Sequence, residues 1–281
     1  MEDDNRKSLG QHFLIDYNII FKIIKACNVG KNDVVLEFGT GYGYLTKKIA
    51  EIVRLVYTYE IDKEIYAKAK NYLIQNNNVV IFNQDFFLQE DHEFDFFLSN
   101  IPYARSKEIM KWLSINEFRE AVIMVQKEFS DKLTALPGNA DYSAVSVFSQ
   151  YCFDIEQLFD VTKNSFHPPP KIDSKVIRLT RKKNNMDLKI ISGLEYLFSN
   201  KNKNAGTLLE SKQYQNKKIS QLNVETLIDI SNGLIKNSNR NGKPLDKKRN
   251  QEYEIKSCTV INLRLYFITI VFPFRRQYFS I

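Results

Sequence analysis

Glu37-Phe38-Gly39-Thr40-Gly41-Tyr42-Gly43 ends a short apolar run, Val34–Phe38, and leads into a helix-compatible stretch. Glycines in such a turn let the backbone approach a ligand closely and leave amides at the start of the helix to donate. The pattern alone suits a nucleotide equally well, and its spacing to later carboxylates sharpens it. Glu60 stands about twenty residues on, at the tip of the next strand-like run, where a carboxylate can accept from two ribose hydroxyls. Asp85 follows the third run, Val79–Phe82, and can accept from an adenine amino group on the same ligand. No Lys-Ser/Thr pair follows the glycines, which excludes a phosphate-gripping loop. Either carboxylate alone reads as a solvated loop residue; their order at the ends of successive strands argues for a shared ligand.

A second constellation, Asn100-Ile101-Pro102-Tyr103, follows a fourth apolar run. An amine on an aromatic ring is a poor nucleophile, because its lone pair is delocalised into the ring. Hydrogen-bond acceptors that favour a more tetrahedral nitrogen overcome this. Asn100 supplies a side-chain carbonyl, the proline-fixed turn supplies a main-chain one, and Tyr103 can stack on the base. Methyl transfer from a sulfonium to such an amine releases a neutral thioether, so alignment and preorganised electrostatics are expected to do most of the work. Elsewhere the same four residues would be an ordinary turn; here they follow the strands that carry the carboxylates.

These residues need a scaffold of alternating strands and helices. Short β-rich runs at Val34–Phe38, 55–60, Val79–Phe82, 94–98 and 121–125 are separated by amphipathic stretches such as 63–75 and Ser106–Ile115. That alternation predicts a parallel sheet with helices on both faces. Segments 151–161 and 171–180 are expected to complete the sheet. Between them Phe166-His167-Pro168-Pro169-Pro170 is expected to be a rigid extended loop, since proline cannot continue a ladder. From about Met186 the pattern turns helical, at 188–198, 205–210 and 224–235, and beyond Lys236 the composition Asn-Ser-Asn-Arg-Asn-Gly-Lys-Pro reads as a loop or linker.

Charge divides the chain in the same place. Residues 1–180 carry 21 Lys+Arg against 25 Asp+Glu, whereas residues 181–281 carry 19 against 8. An acidic front and a basic rear predict a small-molecule domain followed by one that binds a polyanion, the alternative being a solubilising tail. Cys27, Cys152 and Cys258 are far apart in sequence and set among apolar residues, which reads as reduced thiols of a cytosolic protein. No Cys or His cluster suggests a metal, and the polar start, MEDDNRKS, is unlike a targeting peptide. The most apolar run, 258–274, contains Asn262 and Arg264 and falls short of the ~20 apolar residues of a membrane span.

In combination, Gly10-Gln11-His12-Phe13-Leu14-Ile15-Asp16, the glycine turn, Glu60, Asp85, the Asn100 to Tyr103 turn and Phe166-His167-Pro168-Pro169-Pro170-Lys171-Ile172-Asp173-Ser174 resemble the ribosomal RNA adenine dimethyltransferase family. The likeness covers roughly residues 6–236 and is greatest to its small-subunit branch, the KsgA type, with an archaeal-like character. The resemblance implies an α/β, class I (Rossmann-like) methyltransferase sheet with a smaller helical C-terminal domain. It also implies S-adenosyl-L-methionine as cofactor and dimethylation of two adjacent adenines near the 3′ end of small-subunit ribosomal RNA during ribosome biogenesis. By the same carry-over His12 and Leu14 line the cofactor pocket beside Gly39, Gly41, Glu60, Asp85 and Asn100. Asn100, Pro102 and Tyr103 form the catalytic turn, and Phe166 faces Tyr103 across the target base. The implied organisation is a catalytic domain at 1–181, a helical, basic rRNA-binding domain at 182–236, and a basic and apolar tail at 237–281. The expected protein is a cytoplasmic monomer with the small ribosomal subunit as partner.

Two departures bear on the substrate. After the tyrosine the family usually continues Ile-Ser-Ser/Thr-Pro, whereas this chain has Ala104-Arg105-Ser106-Lys107, so Arg105 and Lys107 are candidate phosphate contacts. The arginine-rich element of the helical domain is reduced to a stretch bearing Lys201 and Lys203, point charges without arginine's fork. Rival readings are the large-subunit adenine methyltransferases of antibiotic resistance, glutamine methylation of release factors, and a non-catalytic RNA-binding assembly factor. The segments DYSAVSVFSQ and FHPPPKIDS favour the small-subunit branch over the first. The QHFLID block and the single proline of the turn argue against the second. The carboxylates and Asn100 argue against the third, since a pure binder has no use for a cofactor cleft.

Overall fold

The computed structural model describes residues 12–89, 92–184, 186–209 and 212–241. Seven strands form one sheet: β2 (Val34–Phe38), β3 (Leu55–Tyr59), β4 (Val79–Phe82), β5 (Phe96–Asn100), β6 (Glu120–Gln126), β7 (Phe153–Val161) and β9 (Ser174–Arg181). Their order is β4-β3-β2-β5-β6-β9-β7. The first five run parallel, and β9 then pairs antiparallel with both β6 and β7. The order reverses direction at β2, which has β3 on one side and β5 on the other. A crevice therefore opens beyond the carboxyl ends of β2 and β5, where ligands bind in open α/β sheets.

The central strands β2, β5 and β6 are almost uniformly apolar because both their faces are covered, whereas β7, at the sheet's edge, carries exposed polar residues. Val35, Val56, Leu98 and Val122 face a cluster that includes Ile20, Ile23 and Ile24 of α1 (Tyr17–Ala26) and Leu45 and Ile49 of α2 (Tyr44–Ala50). Their neighbours Leu36, Phe97, Ala121 and Ile123 face the other way. There they meet Ile109 and Leu113 of α4 (Ser106–Ile115) and Val147 and Phe148 of α6 (Ala144–Cys152). The remaining helices of the first 180 residues are α3 (Lys63–Tyr72) and α5 (Lys127–Leu133).

Three expectations are revised. The fourth strand lies two residues later than 94–98, because Asp95 is used before it begins: its Oδ2 accepts the Val34 amide at 2.9 Å. The shift puts Asn100 on the strand's last position. Phe166–His167 is not loop but a two-residue strand, β8, paired antiparallel with β1 (Phe13–Leu14); the ladder stops at Pro168, which has no N–H to give. The last helix, α9 (Val224–Asn241), continues through residues 237–241, where a linker was expected; the stretch 234–241 contains neither glycine nor proline, and Gly233 is tolerated within the helix. Most of the expected 237–281 tail, Cys258 included, lies outside the described residues, as do Gly10 and Gln11.

After the sheet come α7 (Leu188–Ser199), α8 (Ala205–Leu208) and α9. Ile191, Leu194 and Leu197 of α7 share one apolar cluster with Phe148 and Leu179, and the compact unit that contains the sheet ends at Leu234. Across this seam the buried carboxylate of Glu195 meets Lys107 Nζ at 2.7 Å and Lys111 Nζ at 2.8 Å. Burial alone would raise its pKa, but the two ammonium groups outweigh that and hold it below the usual value. Glu195→Ala removes the carboxylate that draws Lys111, whose side chain is only 13% exposed, into the seam. The variant is expected to lose about 1–3 kcal/mol in chemical denaturation. Lys107→Ala, at the half-exposed end of the triad, should cost less. Equal costs would contradict this division.

Candidate active site

Gly39, Gly41 and Gly43 all have positive φ, at +80°, +55° and +85°, a backbone conformation that favours glycine at these three positions of the turn. Its amides are not left free, as the sequence suggested; they stitch the turn to the end of β3. Gly39 and Thr40 N–H both donate to Tyr59 O at 3.0 Å, Gly41 N–H donates to Glu60 Oε2 at 3.0 Å, and Gly43 N–H returns to Thr40 O. Beneath the turn runs a buried relay absent from the sequence reading. Thr46 and Thr58 hydroxyls donate to Glu37 Oε2 at 2.6 and 2.7 Å, and Thr58 Oγ1 lies 2.7 Å from Thr40 Oγ1. Burial pushes the Glu37 carboxyl up to about 8, against the pull of the two hydroxyls. A carboxylate inside an otherwise apolar strand was the sequence signal for this relay.

Glu60 sits at the tip of β3, 6% exposed, with Oε1 accepting the Asp62 amide at 3.0 Å as Oε2 accepts Gly41's. Burial raises its pKa, and the two amides oppose the rise. Each oxygen keeps a second lone pair for a ligand hydroxyl. Asp85 caps the short turn after β4: Oδ1 accepts the Phe87 amide at 3.0 Å, while Oδ2 has no hydrogen-bond partner among the described residues.

Asn100 is oriented from outside its own strand. Its Nδ2 donates to His12 O at 3.2 Å, so the amide's Oδ1 is turned away from that carbonyl. His12 is held in turn by Nδ1 against Pro168 O at 2.8 Å, and Ile15 N–H donates to Ser165 O at 3.0 Å. Asp16 caps α1 through Oδ1 and accepts from Ser165 Oγ through Oδ2. Residues 12–16 and 165–168, 149 apart at Asp16 and Ser165, thus form one buttress behind Asn100.

In the turn itself Pro102 O accepts the Arg105 amide at 2.9 Å, leaving Ile101 O as the carbonyl without a partner among the described residues. Tyr103 Oη lies 2.7 Å from Ser174 Oγ, and its ring centroid is 5.6 Å from that of His12. Burial raises the Tyr103 pKa despite the Ser174 contact, so the phenol stays neutral.

Not every expected residue reaches the crevice. Leu14 and Phe166 are buried, 6% and 3% exposed, in one apolar cluster, and it is His12 whose ring neighbours Tyr103. The alternation of β1 explains the exchange: Leu14 points to the core and Phe13 to the glycine turn, where a Cβ on Gly41 would lie 3.1 Å from the Phe13 ring. Arg105 and Lys107 both have partners within the chain, Asp85 and Glu108 for the first and Glu195 for the second. Lys203 is exposed, and Lys201 Nζ reaches only Ala140 O at 3.4 Å. Among the described residues no His, Cys, Asp or Glu group could hold a metal ion.

Such a switch-point crevice belongs to the Rossmann-like, S-adenosylmethionine-dependent methyltransferases. Two features of this chain suit that cofactor: the open oxygen of Asp85, and the gap at Gly39, where a Cβ would lie 3.8 Å from the Pro102 ring. The model of the ribosomal RNA adenine dimethylase family matches residues 2–240, and the chain belongs to that family. It is 35% identical over 255 residues to ribosomal RNA small subunit methyltransferase A of a Sulfurihydrogenibium species, covering 84% of this chain and 98% of that one. The like-named protein of Caldanaerobacter subterraneus is 38% identical over 184 residues, 62% of this chain and 69% of the relative. Among solved structures, a dimethyladenosine transferase from Plasmodium falciparum superposes with a TM-score of 0.69 at 26% identity, over 83% of this chain and 99% of that one.

Glu37 gives a pH signature. Its carboxyl is raised when folded, so between about 4.5 and about 8 the native state keeps a proton that the unfolded chain releases. Its stabilising contribution is complete below that window and is lost as pH rises through it. Glu37→Gln should flatten the fall in denaturation free energy between pH 5 and 9; an unchanged slope would contradict the shift. Glu60→Ala removes a ligand acceptor and the Gly41 tether together. Calorimetric titration should show cofactor affinity weakened by about 1.5–3 kcal/mol with the fold retained, and wild-type affinity would remove Glu60 from the ribose site.

Proposed function

We propose that the chain dimethylates the exocyclic amines of two adjacent adenines near the 3′ end of small-subunit ribosomal RNA, as a step in ribosome biogenesis. The observation that carries the reading is the orientation of Asn100. With Nδ2 committed to the His12 carbonyl, Oδ1 is the side-chain acceptor left for a planar amine. Ile101 O is the main-chain acceptor of the same turn that has no partner among the described residues. Two acceptors on one amine draw its hydrogens out of the ring plane and restore nucleophilic character to the nitrogen. Tyr103, neutral and tied to Ser174, holds the face on which the base stacks. Pro102 fixes the turn, and Phe166 packs beneath β1 as support rather than as an open wall.

S-adenosylmethionine, when bound, supplies the methyl group from a sulfonium centre. Glu60 would hold its ribose, Asp85 its adenine amine, and Gly39 and Gly41, with His12 and Phe13 alongside, would let it lie close to the backbone. Leu14 contributes by packing. Residues 12–181 provide this chemistry, and the helices from 182 onward, with Lys201 and Lys203, provide rRNA affinity. The names of the curated relatives support the small subunit over the large as substrate, and the buried free thiols of Cys27 and Cys152 support a reducing, cytoplasmic setting. The proposed partner is the small ribosomal subunit, with the protein acting on it as a monomer.

Incubating unmodified small subunits with labelled cofactor and mapping the modified bases tests the reading. Label on two neighbouring adenines near the 3′ end is expected; label confined to large-subunit RNA, or none, would overturn it. In the same assay Asn100→Ala should lower turnover by about a hundredfold or more with little change in cofactor affinity. Tyr103→Ala should instead weaken use of the RNA, by the roughly 1–3 kcal/mol that stacking contributes. Parental rates for both variants would move the active site elsewhere.

A further inference from the structure

Arg105 stands where the family sequence ordinarily differs, and its charge first suggested an RNA phosphate contact. Its surroundings point inward instead. The guanidinium lies over the Phe87 ring, with Cζ 4.6 Å from the centroid. Nη2 is 3.4 Å from Asp85 Oδ1, and Nε forms a 2.7 Å ion contact with Glu108 Oε2. Its side chain is one-third exposed, and Asp85's is 29% exposed. Asp85 Oδ1 therefore receives two donors, the Phe87 amide and Arg105, while Oδ2 receives none among the described residues.

We infer that Arg105 is a positioning residue for the cofactor: by fixing Oδ1 of Asp85 and covering Phe87, it presents Oδ2 to the 6-amino group and sets selectivity for adenine over a 6-oxo purine. A carboxylate held by one oxygen on two donors cannot rotate that oxygen into the ligand position without breaking both bonds. The other oxygen is an obligate acceptor, which attracts an amine and repels a carbonyl. Phe87 supplies the backbone donor, and the guanidinium on its ring ties the loop after β4 to the start of α4. Two carboxylates beside the guanidinium already answer its charge, which weakens its claim on a phosphate. The inference rests on the proposed role of Asp85 and concerns what holds that residue in place.

The test is calorimetric and needs no turnover. The full chain is titrated with S-adenosylhomocysteine and with its 6-oxo analogue, S-inosylhomocysteine, and the ratio of the two dissociation constants is the readout. Wild type should prefer the amino compound. Asp85→Ala should abolish the preference; if it does not, the reading of Asp85 fails, whatever Arg105 does. Given that loss, Arg105→Ala should reduce the preference about two- to fivefold, the scale of a partly exposed ion pair, and should add nothing in the Asp85→Ala background. A general loosening of the fold would weaken both ligands alike and leave the ratio unchanged. Wild-type selectivity in Arg105→Ala, with or without weaker RNA binding, would overturn the inference and return the residue to phosphate contact or to structure.

Discussion

The site depends on one hydrogen bond between residues 88 apart in the chain: Asn100 Nδ2 to the main-chain carbonyl of His12. A primary amide presents a donor end and an acceptor end that are nearly alike in shape, and an unrestrained asparagine could show either one to a ligand. A carbonyl at 3.2 Å can face only the donor end. His12 can serve because the short β1–β8 ladder, the Pro168 carbonyl and the Asp16–Ser165 contact hold its backbone in place. The reactive geometry therefore requires the N-terminal block, the proline segment and the fourth parallel strand to be assembled together.

A similar economy governs the cofactor side. The glycine turn contributes close approach, while its amides are used to bind the end of β3. Glu60 couples that turn to the strand tip, and the Glu37–Thr58–Thr40 relay couples it to the strands below. The carboxylates that carry specificity are thus partly committed to the protein. What they offer a ligand is the lone pair or oxygen left over, and its direction is fixed before the ligand arrives. Preorganisation of this kind keeps the ordering cost out of the binding and transfer steps.

Much of this was legible in the sequence, for identifiable reasons. Five parallel strands, the central ones buried on both faces, read as apolar runs, and Glu60, Asp85 and Asn100 could be placed because each ends or follows such a run. What escaped was set by partners distant in sequence. Nearly every position of α6 is buried, including Ser146 and Ser149, so it shows no amphipathic stripe. β1 and β8 are two residues each and exist only by pairing with one another, so no local period announces them. That pairing also decides that Phe13, not Leu14, meets the glycine turn. Lys107 looked like a free cation because its acidic partner lies on α7; Arg105 did because Asp85 lies after β4, although its other partner, Glu108, is only three residues on.

The orientation of the Asn100 amide is the central claim, and Asn100→Asp examines it most directly. A carboxylate retains acceptor oxygens for the target amine but loses the donor, and places negative charge against the His12 carbonyl. Single-turnover methylation of small subunits by this variant is predicted to fall by about a hundredfold or more, with cofactor affinity near wild type. Methyl transfer at the wild-type rate would mean that an acceptor at this position suffices without the His12 contact, and would contradict the account.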